Sequence, residues 1–163
     1  SKKVIKEKIA LLAKQLNHDY EKVDVLDIVC FVNGASVFCS DIIRLLQIPI
    51  RLHHFSFSSY DNMPGSGEVK IEQDLREPLE GKHVLLLEGL VISGRTPNYL
   101  CNFFKSRNPA SLKLCAIGLK KKKFEVDLEI DYHMFDFDDE WIEGYGIGGM
   151  DTKRLPYLID IRE

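Results

Sequence analysis

His83-Val84-Leu85-Leu86-Leu87-Glu88-Gly89-Leu90-Val91-Ile92-Ser93-Gly94-Arg95-Thr96-Pro97-Asn98-Tyr99-Leu100 is the stretch that decides the fold. Its first part, Val84 to Leu87, is a continuous apolar run. Such a run reads as a strand buried on both faces, of the kind found in parallel sheets. The chain then passes through Glu88 and Gly89 into Ser93-Gly94-Arg95-Thr96, and Pro97 opens a helix that ends near Ser106. A strand, a Ser-Gly-x-Thr turn and a helix in that order bring backbone amides together at a helix N-terminus, where they favour an anion. Ser93, Gly94, Arg95 and Thr96 therefore form a candidate phosphate cradle.

Outward from this stretch, strands and helices alternate. Ile5, Ile9, Leu12 and Leu16 recur at helical spacing and predict an amphipathic helix over 3–20. An apolar, β-branched run predicts a strand over 26–32, followed by a helix over 37–46 that Ile48-Pro49 ends. Residues 50–57 alternate as a strand with unequal faces, and Pro64, Gly65 and Gly67 mark 61–67 as a loop. Further strands are expected over 112–119, 129–135 and 157–161. This alternation indicates an α/β sheet with parallel crossovers, in a single domain spanning 1–163.

Composition narrows the function classes. The chain has 163 residues, 45% hydrophobic and 29% charged, as expected for a globular protein with its own core. A net charge of -3 gives no basic face for nucleic acid. No apolar run approaches the ~20 residues that span a bilayer, so no membrane association is expected. Cys30, Cys39, Cys101 and Cys115 form no C-x-x-C pair, and they read as buried free thiols in a reducing compartment, the cytoplasm. His18, His53, His54, His83 and His133 show no metal-ligand spacing and read as structural.

Beyond the central stretch, Phe31-Val32-Asn33-Gly34-Ala35 follows a strand and opens a helix, and Ser58-Ser59-Tyr60 precedes a Gly- and Pro-containing loop. Gly118-Leu119-Lys120 closes a strand, and Asp139-Glu140-Trp141-Ile142-Glu143-Gly144-Tyr145-Gly146 follows. In this order the motifs resemble those of the hypoxanthine-guanine phosphoribosyltransferases, a branch of the type I phosphoribosyltransferases. The resemblance implies an α/β fold with a central, mainly parallel sheet flanked by helices. It also implies a reduced hood, with an N-terminal hood strand missing or trimmed. It assigns the phosphate to Ser93–Thr96, the ribose to Glu88, and the pyrophosphate loop to Asn33, Gly34 and Arg154. Ser59 and Tyr60 would belong to a mobile flap. Lys120, Trp141 and Ile142 would take the purine, by donation to its exocyclic oxygen, stacking, and backbone contact respectively. The family also implies a homodimer or tetramer whose ligand is a purine base or nucleotide.

Lys120 carries independent weight. It ends a strand of a sheet type that places ligands at strand carboxyl ends. An ammonium there donates to a 6-oxo group and does not suit a 6-amino group, which argues for hypoxanthine or guanine over adenine. Lys121, Lys122 and Lys123 read as a solvated turn.

The resemblance departs at the acids. The family motif looks like two acids, two apolar residues, an acid, and then Thr/Ser-Gly-x-Thr. Here Glu88 remains, while Gly89 and Ile92 fill the other acidic places. Ile92 stands at the general-base position, so no catalytic residue is retained, and Gly148 stands where a metal-contacting aspartate is expected. Glu88 alone is left as a weak metal contact, with Asp138, Asp139 and Asp151 as nearby substitutes. General-base assistance is typically worth about 10²–10⁴-fold in rate. The expectation is a protein that binds IMP or GMP with catalysis lost or strongly reduced. Two alternatives stand beside it: an active 6-oxopurine phosphoribosyltransferase using Mg²⁺, or a non-catalytic partner in a mixed oligomer. Ile92 is expected to pack in an apolar environment that an aspartate would disturb.

Overall fold

Helix α1 (Lys2–Asp19) leads into β1 (Leu26–Phe31), α2 (Ser36–Ile42), β2 (Ile50–Ser59), β3 (Val69–Gln73), β4 (His83–Val91) and α3 (Arg95–Lys105). Strands β5 (Ser111–Leu119), β6 (Tyr132–Asp136), β7 (Ile142–Glu143) and β8 (Ile159–Asp160) complete the chain. The computed structural model describes residues 1–32, 34–59 and 69–162. The first six strands make one sheet in the order β3-β2-β1-β4-β5-β6, parallel throughout except for β3, which runs antiparallel to β2.

The apolar runs explain the centre of this sheet. Every residue of β1 is buried, as are Val84 to Leu87 of β4, because both strands are covered on both faces. One face packs Ile28, Leu85, Leu87 and Ile117 under α1 and α2, whose Ile5, Ile9, Leu12, Leu16 and Phe38 point inward. The other packs Val29, Phe31, Phe55 and Leu86 against Leu100 and Phe104 of α3. At the amino ends of the strands the buried Asp27 carboxylate accepts from Arg51 at 3.1 Å and lies 2.7 Å from His53 Nε2, so a buried charge is paired rather than left alone. All four cysteines are buried free thiols. No described helix is long and apolar enough to cross a membrane.

Several boundaries differ from the sequence reading. The helix over 37–46 tightens into a 3-10 turn at Ile43–Leu45. Helix α3 starts at Arg95 instead of Pro97, and Pro97 sits within the first turn, where its missing N–H does no harm. The strand expected over 129–135 begins only at Tyr132, where pairing with Cys115 starts. The last strand shortens to Ile159–Asp160 and pairs with β7, a strand the sequence did not suggest. This antiparallel pair stands outside the main sheet as a small hood. Strand β3 was also unforeseen.

Candidate active site

The sheet reverses direction of growth at β1. The chain adds β2 on one side and then crosses to place β4 on the other. Loops at the carboxyl ends of two such strands diverge, and the crevice between them is where doubly wound sheets take ligands. A cavity of about 810 Å³ opens there. Gly34 lines it after β1, Glu88, Leu90 and Ile92 at the end of β4, and Lys120 at the end of β5. Trp141, Ile142 and Glu143 of the hood close the opposite wall, with Gly146, Gly148, Lys153 and Arg162.

Lys120 is 5% exposed. Its ammonium donates to the Glu140 carbonyl, which leaves two further donors. Burial, then Lys123 and Arg162 nearby, hold its pKa below the usual lysine value. Trp141 is 61% exposed and its indole borders the cavity, while its backbone is fixed by donation to Asp160 at 2.8 Å. Ile142 beside it is buried. Lys121 and Lys122 pair with Asp136 and Asp138 at 3.2 and 2.7 Å, the solvated turn expected of them, whereas Lys123, read with them, lines the cavity and pairs there with Asp139 at 3.0 Å.

Glu88 is half-buried, and its Oε1 accepts from the Gly89 amide at 2.7 Å. Desolvation outweighs that bond and pushes the carboxyl up to about 7. Gly89 is buried against the loop after β1: a Cβ there would meet Gly34 O at 3.0 Å and Gly34 C at 3.1 Å. The Gly34 backbone leaves little room for a side chain at position 89.

The Ser93–Thr96 turn begins where the cavity lining ends, at Ile92. Gly94 takes φ +79 and caps α3 without a side-chain bond. A Cβ there would approach Val126 at 3.2 Å. Ser93 Oγ accepts from the Arg95 amide at 3.3 Å, and Ser93 O accepts from Glu125 at 2.9 Å. The Arg95 guanidinium pairs with Glu125, so its charge is already partnered. The turn offers an anion its backbone and the half-buried Thr96, not a free arginine.

Other expectations need correction. Ile92 does not pack inside: it is 46% exposed and borders the cavity. Arg154 does not reach this cavity. It is exposed and lines a separate one of about 490 Å³ between α1 and α2, because backbone bonds from Gly146 to Lys153 and from Tyr145 to Leu155 direct the intervening residue outward. Asp138 and Asp151 lie outside the lining, and Asp139, which is within it, is paired to Lys123. Ser59 ends β2, whereas Asn33, Tyr60 and the loop over 61–67 lie outside the described residues. Glu143, Lys153 and Arg162 escaped the sequence reading. Local spacing offered no signal for them, since Ile142 and Glu143, adjacent in β7, both line the cavity.

The model of the phosphoribosyl transferase domain matches residues 1–148. The hypoxanthine-guanine phosphoribosyltransferase of Dictyostelium discoideum is 36% identical over 168 residues, covering 100% of this chain and 93% of that one. This chain belongs to the hypoxanthine-guanine branch of the type I phosphoribosyltransferases. Hypoxanthine phosphoribosyltransferase of Haemophilus influenzae is 32% identical over 143 residues, covering 86% of this chain and 80% of that one. Among solved structures, a Bacillus anthracis hypoxanthine-guanine phosphoribosyltransferase with a HEPES molecule in the active site superposes with a TM-score of 0.93 at 31% identity, over 99% of this chain and 95% of that one. A point mutant of the Trypanosoma cruzi hypoxanthine phosphoribosyltransferase, in a ternary substrates complex, gives 0.91 at 29% identity, over 98% and 91%. The α/β phosphoribosyltransferase fold expected from the sequence is thereby established.

Proposed function

We propose that this single-domain chain, spanning 1–163, is a purine-salvage-type protein that binds IMP or GMP and whose phosphoribosyl transfer is lost or strongly reduced. One observation carries the reading. Ile92, at the position where a proton-accepting carboxylate is expected, faces the cavity with 46% of its surface exposed, so an apolar side chain sits where proton transfer requires an acid. Groups suited to binding persist. Lys120 can donate to a 6-oxo group, Trp141 offers a face for stacking, and the Ser93–Thr96 turn offers amides to a 5′-phosphate. The names of the relatives, which act on hypoxanthine and guanine, point to the same bases.

Mg²⁺ fits this donor set only in part. The described residues contain no cluster of three His, Cys, Asp or Glu able to hold a metal. Glu88 and Glu143 nonetheless line one cavity, and Mg²⁺ commonly relies on one or two carboxylates plus substrate phosphates. When bound, the ion would neutralise charge on a diphosphate. A homodimer or tetramer, and a reducing cytoplasmic setting for the four buried thiols, belong to the same proposal.

A residual enzyme is the second reading, and Glu88 favours it. A cavity carboxyl with a pKa of about 7 is matched to proton transfer near neutrality. Calorimetric titration with IMP, GMP and AMP, beside a turnover assay with hypoxanthine or guanine and phosphoribosyl pyrophosphate, separates the two. Binding of IMP or GMP with turnover near background supports the proposal. Turnover typical of salvage enzymes, with the kcat range of about 1–10³ s⁻¹ as a guide, would overturn it.

A further inference from the structure

One peptide group just before β7, between Glu140 and Trp141, joins two cations of the cavity wall. Its carbonyl oxygen accepts from the Lys120 ammonium. Its N–H donates to Asp160 Oδ1 at 2.8 Å. The same carboxylate takes the Arg162 guanidinium, from Nε at 3.3 Å and from a terminal nitrogen at 3.2 Å, and the Arg162 amide at 3.2 Å. Strand β8 sets this order: Asp160 pairs with Ile142, and the Ile161 amide donates to Trp141 O at 3.0 Å. Lys120, Trp141 and Arg162 line one cavity.

This corner has donors in excess. An ammonium carries three N–H donors and a guanidinium five, and the bonds above engage one of the first and two of the second. The acceptors beside them are already engaged. Glu140 O and Trp141 O accept from Lys120 and Ile161, Asp160 from Trp141 and Arg162, and Asp139 is paired with Lys123. Elsewhere on the wall, Glu143 accepts from Thr152 and the Gly149 amide, and Glu88 from the Gly89 amide. The Asp160 side chain is 13% exposed and that of Arg162 51%, so a shielded carboxylate holds a guanidinium whose outer edge is open.

We propose that Arg162, aimed by Asp160, is a specificity-determining residue for the 2-position of the purine, and that the cavity takes a 2,6-dioxopurine nucleotide in preference to a 2-amino-6-oxopurine one. Lys120 and Asp160-bound Arg162 stand at the two ends of one planar peptide group. With a base against Trp141, the ammonium donates to the 6-oxo group and the guanidinium to the 2-oxo group. A 2-amino group would set N–H against N–H and leave donors on both sides unpaired, which a desolvated site penalises. The 2,6-dioxopurine ring also sheds a proton more readily than guanine, and hydrogen bonds from cations to an anion are the stronger ones. This inference rests on the reading that the cavity takes 6-oxopurine nucleotides, and adds the group it selects at position 2. Asp160 acts only through Arg162 and Trp141, as a positioning residue.

The test is calorimetric titration of the full chain with xanthosine, inosine and guanosine 5′-monophosphates, XMP, IMP and GMP. XMP should bind about tenfold or more tightly than GMP, with IMP, which has only hydrogen at position 2, between them. Arg162→Ala should bring the XMP-to-GMP affinity ratio close to one and lower the XMP-to-IMP ratio. Arg162→Lys, which keeps a charge without the forked donors, should retain part of the preference. Asp160→Asn leaves an acceptor for the Trp141 amide but no ion pair, and should lower the same ratios part-way. Melting curves report that each variant is folded. GMP bound as tightly as XMP by the unmodified chain would overturn the inference. So would a preference that survives Arg162→Ala. A proportional loss of all three nucleotides in Arg162→Ala or Asp160→Asn would also overturn it, since a merely structural role moves affinities without moving their ratios. Failure of the unmodified chain to bind any of the three would instead refute the underlying reading of the cavity.

Discussion

Replacing Glu88 with Gln should stabilise the unliganded protein, and by an amount that grows with pH. The Glu88 carboxyl is pushed from an ordinary 4.5 to about 7, chiefly because burial disfavours its charged form. Each pKa unit corresponds to about 1.36 kcal/mol, so full ionisation of this group opposes folding by at most roughly 3 kcal/mol. Because the side chain is only half-buried and keeps some water, about 1–3 kcal/mol is the expected range. The sign follows from proton binding. Between the two pKa values the folded chain holds a proton that the unfolded chain releases, so stability falls as pH rises through that window and levels off above about 7. Gln cannot titrate, and its Oε1 can still accept from the Gly89 amide, so it removes the ionisation penalty while leaving that bond. Melting temperatures of both proteins should coincide near the ordinary carboxyl pKa. Above neutrality Glu88→Gln should melt higher, by roughly 2–12 °C, since 1 kcal/mol shifts a chain of this size about 2–4 °C. Calorimetry across that pH range checks it. A difference independent of pH, or a variant less stable in alkali, would refute the claim that desolvation governs this carboxyl.

Three further outcomes are expected. Ile92→Asp should fold with little loss of stability, because the side chain is already 46% exposed, and it should raise turnover by up to about 10²–10⁴-fold if the missing base alone limits the chemistry; melting curves and single-turnover rates measure both. Lys120→Ala should abolish the preference for IMP over AMP, an effect of about 1–3 kcal/mol in a calorimetric comparison of the two nucleotides. Gly89→Asp should destabilise the fold by about 1–3 kcal/mol, since its Cβ would press on the Gly34 carbonyl at 3.0 Å and backbone yields less readily than a side chain; denaturant unfolding reads this out.

The parallel core was legible because its signal is local. Val84 to Leu87 and the run in β1 are apolar on both faces, and only strands covered on both sides tolerate that. Lys120 was equally legible, because the end of an apolar strand in such a sheet is also the edge of the ligand crevice. Strand β3 was harder to see. It is a sheet-edge strand whose Val69 and Ile71 are only half-buried, so alternation is its sole mark, directly after a Gly- and Pro-containing stretch of sequence. The pairing of Arg95 with Glu125, and the approach of Val126 to Gly94, depend on an irregular stretch crossing the start of α3. Glu143 was invisible for a related reason. Its contact with Gly148 arises only when the turn after β7 folds back, and spacing along the chain carries no trace of that approach.

The three positions where acids are expected and absent have been accommodated in three different ways, and this bears on what the site still does. At Gly89 the backbone of the loop after β1 lies where a Cβ would press on it. At Gly148 the Glu143 side chain lies where a Cβ would be. At Ile92 nothing has closed in, and the side chain remains exposed to the cavity. Simple relaxation of a site that binds nothing would be expected to draw exposed apolar surface inward, because burying it is favourable by about 25 cal/mol per Å². Here Ile92, Leu90 and Trp141 stay on the cavity wall, beside the Lys123–Asp139 pair and a Lys120 that keeps donors available. An open apolar wall with a lysine at one end and a helix N-terminus beside it suits the nucleotide proposed for it. The cavity thus keeps an open wall for binding, and the proposed loss of chemistry turns on the one residue, Ile92, that lies in that opening without a proton-accepting group.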